Sequence, residues 1–264
     1  MQKLIAILFF ALCIQCTQKS FVTIDSFSIN SKVIDDDFLI QIKKPADYNS
    51  KKNYTIIYVA DGTIGLGQYV LGTDSNWRAV MPQDCIVVTI GHTGNWHQKR
   101  PRDFIPSDIS NNKEKEFGNA DQFYDFLKSE IIPFVNKQLP HQKRKVFIGH
   151  SFSGLFCLYA ALKNEKLFDE YFAISPSVWA NDNELLKIEE GFAQSNKDLN
   201  ATIHIYAGSL EVFNKVLFSS RKFYKNLQSR YYKNILLSFE EISTANHFSI
   251  RKPAIDKILK SLAK

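Results

Sequence analysis

The run Val146-Phe147-Ile148-Gly149-His150-Ser151-Phe152-Ser153-Gly154 constrains this chain more than any other stretch. A short apolar segment of strand type meets a Gly-x-Ser-x-small-Gly turn. An apolar segment of helix-forming residues, Leu155 to Leu162, follows at once. The pattern predicts a strand that bends sharply into a helix, and a bend that tight accepts only small residues where the two backbones approach. The serine at its apex is forced into strained backbone geometry, with its hydroxyl raised at the C-terminal edge of a sheet. The helix N-terminus sets backbone N–H groups beside that hydroxyl, where negative charge develops during acyl transfer. Ser151 is therefore a candidate nucleophile. A Gly/Ser turn closing an ordinary βα unit carries similar residues, so the partners decide.

A serine hydroxyl needs a base, and the base needs an orienting acid. Two histidines lie downstream, His204 and His247. His204 falls within an apolar strand pattern, Ala201 to Ala207, and reads as a strand-face residue. His247 falls in the polar loop Ser243 to Ser249, between a strand and the final helix, where catalytic groups are commonly mounted. Glu211 emerges from the end of the Thr202 to Ala207 strand and ranks first as the acid. Asp182, Glu184, Glu240 and Glu241 are its rivals, and a carboxylate in a first helical turn is favourable on its own account.

The chain has 264 residues, enough for one substantial α/β core, and 45% hydrophobic residues with 23% charged. Its formal net charge is +6, but lysines and arginines are scattered without a long basic block, so no nucleic-acid partner is expected. No metal-ligand spacing appears, and neither a metal nor another cofactor is expected. Cys85 and Cys157 sit in apolar contexts and read as core residues.

Residues 1–16 read as an export signal. Lys3 is followed by an apolar run from Leu4 to Ile14, too short to span a bilayer as a helix. Cys16 and the polar Thr17-Gln18-Lys19-Ser20 follow, an arrangement that resembles a bacterial lipoprotein signal with Cys16 as the lipidated first residue. The residues Cys13-Ile14-Gln15 depart from the usual small-residue pattern, which leaves a plain secretory signal open. Either way the protein is expected to be exported to the periplasm or cell envelope, and membrane attachment would run through Cys16.

The rest, residues 21–264, reads as a single domain. Phe21 to Ile29 and Asp37 to Ile42 alternate as antiparallel edge strands. Tyr54 to Val59 is nearly continuously apolar, as in a strand buried on both faces, and Cys85 to Ile90 reads as a second buried strand. Gly91 to Gly118 reads as a long binding or lid loop. A helix is predicted over Ala120 to Leu139, interrupted at Pro133. Beyond the serine turn come strand Tyr171 to Ile174, helix Glu184 to Ala193, strand Thr202 to Ala207, helix Val212 to Leu227, strand Ile235 to Phe239 and a helix from about Pro253. This alternation implies an α/β fold with a mostly parallel sheet and helices on both faces.

Taken in order, these segments resemble the putative-esterase family of α/β-hydrolases, which includes enterochelin-type siderophore esterases, feruloyl esterases, S-formylglutathione hydrolases and mycolyltransferases. Tyr58-Val59-Ala60-Asp61-Gly62 is similar to the family's oxyanion loop, and Arg100-Pro101-Arg102-Asp103-Phe104-Ile105-Pro106 to a segment of the siderophore-esterase branch. Gly149 to Gly154 matches the nucleophile turn, with Ser153 where the family mostly has Gly. Ser175-Pro176-Ser177-Val178-Trp179, Gly208-Ser209-Leu210-Glu211 and Asn246-His247-Phe248-Ser249 resemble the remaining site loops. The resemblance implies an α/β-hydrolase fold and a Ser151, His247, Glu211 triad acting on a small-molecule ester, siderophore or carbohydrate esters among the candidates. It implies an oxyanion hole from the N–H of Phe152 and one from Gly62 or Thr63, with Gly62 ranked first. Arg100 or Arg102 would anchor an acidic part of the substrate, unless ion pairs with Asp103 or Asp108 fix their loop instead. Trp179 would line the pocket. A non-catalytic binding lipoprotein on the same fold and an acyltransferase remain as alternatives.

Overall fold

The computed structural model describes residues 23–74, 79–107, 118–213 and 215–263. The expected export signal with Cys16, and Asp108, lie outside the described residues. Eight strands form one sheet: β1 (Ile24–Ser31), β2 (Asp36–Lys43), β3 (Tyr54–Ala60), β4 (Cys85–His92), β5 (Gln142–His150), β6 (Glu170–Ile174), β7 (Ala201–Gly208) and β8 (Ile235–Ile242). They lie in the order β1-β2-β4-β3-β5-β6-β7-β8. β2 runs antiparallel to both neighbours and every other pair is parallel. The mostly apolar β3 and β4 sit mid-sheet with every side chain buried, because helices cover both faces. β1 is the outermost strand, whereas β2 is enclosed between β1 and β4.

Helices α1 (Gly65–Leu71), α2 (Trp96–Phe104), α3 (Ala120–Phe126), α4 (Ile132–Gln138), α5 (Phe152–Leu162), α6 (Ala180–Ser195), α7 (Val216–Arg230) and α8 (Arg251–Leu262) divide between the two faces. Successive residues of β3 alternate between two cores. Ile56, Tyr58 and Ala60 pack with Phe123, Phe156 and Phe223 from α3, α5 and α7. Ile57 and Val59 pack with Leu66, Ile255 and Ile258 from α1 and α8. Cys85 and Cys157 are both buried free thiols.

The expected elements differ from the fold in four places, the first being α1, in a stretch where no helix is expected. Part of the expected loop from Gly91 is helix α2, despite Pro101 inside it. The expected helix from Ala120 continues from α3 to α4 through a wider π turn at Leu127–Ile131, which absorbs Pro133 and its missing N–H. α7 begins at Val216 rather than Val212, because residues 209–213 form a turn that bends the Glu211 carboxylate back toward the strand.

Parallel strands share a polarity, so their C-terminal ends meet at one sheet edge. Asp61, Ser151, Ser175, Glu211 and His247 all follow strands at that edge.

Candidate active site

Ser151 has φ 63° and ψ −119°, the strained conformation anticipated for the apex of the turn. The turn holds because β5 and α5 are nearly in contact: a Cβ on Gly149 would stand 2.1 Å from the Ser153 carbonyl oxygen. Ser151 N–H donates to the Ile174 carbonyl at 3.0 Å, and its own carbonyl accepts Ser177 N–H at 3.1 Å. The strained residue is thereby fixed from the neighbouring strand.

His247 Nε2 lies 2.9 Å from Ser151 Oγ, and His247 Nδ1 lies 2.7 Å from Glu211 Oε1. A carboxylate at Nδ1 keeps the proton there and turns the Nε2 lone pair toward the serine. Glu211 is 1% exposed. Burial pushes its carboxyl upward, but the His247 ring N–H, the Ser175 hydroxyl and the Gly208 N–H outweigh that and hold it below its ordinary value. The Ser175 and Gly208 donors are each 2.6 Å from Oε2. No rival acid reaches this ring: Asp182 pairs with Lys187, Glu240 with Lys257 and Glu241 with Arg221, and Glu184 accepts from Asn181. His204 lies on β7, stacked on Phe172.

The loop of His247 is built to stay in place. The Asn246 side-chain oxygen accepts the N–H groups of Phe248 and Ser249 at 3.0 and 2.9 Å. From beneath, the buried His150 ring donates its Nε2–H to the His247 carbonyl at 2.7 Å. Burial and the neighbouring His247 push the His150 imidazole down to about 3, so it is a neutral donor.

Beside the serine, Phe152 N–H opens α5 and has no intrahelical partner, as for any helix start. The expected second donor is corrected. Gly62 N–H is given to the Ile90 carbonyl at 2.9 Å, while Thr63 N–H has no acceptor among the described residues.

The placement of Arg100 and Arg102 as substrate anchors is also corrected. Arg100 holds Asp61 with Nε and Nη2 at 2.5 and 2.9 Å, and Arg102 holds Asp103 and Asp36 at 2.6 and 2.9 Å. Both guanidiniums are thus matched by carboxylates, two of which, Asp61 and Asp36, lie far away in sequence. Asp61 is buried at the end of β3. Burial raises its carboxyl, yet Arg100 and the Ser153 hydroxyl hold it below the usual range. Ser153 Oγ accepts His150 N–H and donates to Asp61 Oδ2, both at 2.8 Å. The serine that replaces the family's glycine therefore ties the nucleophile turn to the loop carrying Thr63. Trp179 follows Ser177 and is 37% exposed.

Sequence reasoning missed the roles of His150, Ser153, Ser175 and Ser177. Ser177 Oγ stands 3.3 Å from Ser151 Oγ. The Ser-Pro-Ser segment was visible as a motif, but nothing local signals that it supports both the acid and the nucleophile.

The profile of the family described as putative esterase matches residues 31–223. The chain belongs to the putative-esterase family. Among curated proteins it is similar to the ferri-bacillibactin esterase BesA of Bacillus subtilis, 27% identical over 84% of this chain and 83% of that one. It is also 29% identical to the siderophore triacetylfusarinine C esterase of Aspergillus fumigatus, over 66% of this chain and 64% of that one. Of solved structures, the BES protein from Bacillus cereus superposes with TM-score 0.74 at 23% identity, over 91% of this chain and 96% of that one. The enterobactin and salmochelin hydrolase IroE superposes with TM-score 0.67 at 20% identity, over 92% and 96%. The fold is that of the α/β-hydrolases, and the family places the chain among hydrolases of carboxylic esters.

Proposed function

We propose that the protein is a serine esterase that works through Ser151, His247 and Glu211 and an acyl-enzyme intermediate. The single observation that carries this reading is the unbroken chain of short contacts, 2.9 Å and 2.7 Å, from serine to imidazole to carboxylate. Ser151 Oγ attacks the ester carbonyl as its proton passes to His247 Nε2. The oxyanion is received by the N–H groups of Phe152 and Thr63. On collapse the alcohol departs with the proton from His247, leaving an acyl-Ser151 ester. Water then repeats the sequence, giving its proton to His247 and releasing the acid. Glu211 stays ionised throughout and stabilises the imidazolium, as carboxylates in such triads do.

For the substrate we propose a siderophore-type ester, supported by the curated relatives that are esterases of siderophores. Acyl transfer to a second alcohol uses the same residues, and product analysis with glycerol as acceptor separates it from hydrolysis. We further propose export with attachment through lipidated Cys16.

Replacing Ser151 with Ala should abolish hydrolysis of a short 4-nitrophenyl ester, by on the order of 10⁴-fold or more, and abolish labelling by a fluorophosphonate. Retained turnover in a folded variant would reject the triad.

A further inference from the structure

Among the described residues, one arginine beside the site has no carboxylate partner. Arg251 opens α8 four residues after His247. Its Nε donates to the Phe248 carbonyl at 3.0 Å, and its guanidinium carbon lies 5.0 Å from the Tyr69 ring centroid and 5.6 Å from that of Phe248. Two aromatic faces hold a guanidinium in place without neutralising its charge. Gly65, at φ +43°, leaves it room, since a Cβ there would stand 2.7 Å from Nη1. The guanidinium thus spans the gap between the loop that carries Thr63 and the loop that carries His247. It is close enough to His150 to disfavour protonation of that ring. The His150 ring in turn lies 4.8 Å from that of His247.

Arg100 and Arg102 are closed by carboxylates, but Arg251 has no carboxylate partner among the described residues. A half-buried, immobilised charge left unpaired at a reaction site is matched to something that arrives there. Its side of the site is informative. The departing alcohol takes its proton from His247, so it must pass along the histidine loop, to which Arg251 is bonded. We propose that Arg251 recognises an anionic group, carboxylate or phenolate, on the alcohol half of the ester. The assignment rests on the esterase reading and adds to it a charge and a side.

The test compares 4-acetoxybenzoate with its methyl ester, two acetates whose leaving halves differ in charge and whose unequal intrinsic reactivity cancels when their ratio is compared between variants. Each is assayed with the wild-type protein, Arg251→Gln and Arg251→Lys. The ratio of kcat/KM for the anionic over the neutral ester should fall about tenfold in Arg251→Gln, carried by KM, and return in part in Arg251→Lys, which keeps the charge but not the stacked plane. An unchanged ratio overturns the proposal, as does an equal fall for both esters, which is what mere support of the histidine loop would give. Active wild-type protein with an unchanged ratio in the variant removes only Arg251. Wild-type protein that hydrolyses neither ester and resists a fluorophosphonate overturns the esterase reading and this proposal with it.

Discussion

At the scale of single residues, His150 has the most unusual environment. Its imidazole is buried against His247, with Asp61 and Arg251 the nearest charges to act on it, and its value is pushed down to about 3. An unfolded histidine protonates near pH 6.5. Between those two values the unfolded chain binds a proton that the folded protein refuses. Above about pH 6.5 both forms are neutral and the residue makes no pH-dependent contribution. Stability therefore falls as pH drops through about 6.5, and the loss continues down to about 3. In His150→Gln, whose amide can still donate to the His247 carbonyl, this component disappears. From pH 7 to pH 5 the wild-type protein should lose about 2 kcal/mol more unfolding free energy than the variant, as read from urea denaturation. Parallel profiles would mean that His150 is not held neutral. The sequence did not point to this residue. Ser151 announces itself through neighbouring glycines, whereas His150 acts on a partner 97 positions away and Ser175 on one 36 away. Such roles exist only after folding brings the partners together.

At the scale of elements, the end of β3 is held by two helices. Asp61 receives Arg100 from α2 and Ser153 from α5. α2 carries no helical signature in the sequence, because it has polar residues, an internal proline and no apolar stripe. It forms because tertiary contacts outweigh weak propensity, with Asp61 pinning Arg100 and Asp36 pinning Arg102. Removing one member of a buried pair leaves the other charged and unmatched, which costs roughly 3–5 kcal/mol. Arg100→Met should lower the denaturation midpoint by a corresponding amount, because Asp61 is left in the core. A variant with an unchanged midpoint and only a raised KM would instead mark Arg100 as a substrate contact. Ser153→Ala removes the acceptor of His150 N–H and deletes one hydrogen bond to the same carboxylate, the latter at a cost of about 1.5–3 kcal/mol. Because that bond links the nucleophile turn to the loop of Thr63, kcat should fall along with stability. A stability loss with kcat intact would confine Ser153 to the core.

At the scale of the whole molecule, the alternation of strands and helices disclosed a parallel α/β sheet, since burial on both faces leaves a local apolar signature in β3 and β4. The placing of β4 outside β3 left no such mark, because strand order is fixed by crossovers and pairings remote in sequence. The same distinction separates the domain from its proposed tether. No helix among the described residues is long and apolar enough to cross a membrane. The proposed attachment is through Cys16, eight positions before β1 begins at Ile24. A single acyl chain binds membranes only marginally, whereas several chains on one residue anchor firmly. Expressed in a bacterial host, the wild-type protein should partition into Triton X-114, and Cys16→Ser should move it to the aqueous phase with esterase activity intact. Mass spectrometry of an aqueous, unacylated wild-type protein whose N-terminus lies elsewhere would remove the tether and leave the catalytic site untouched.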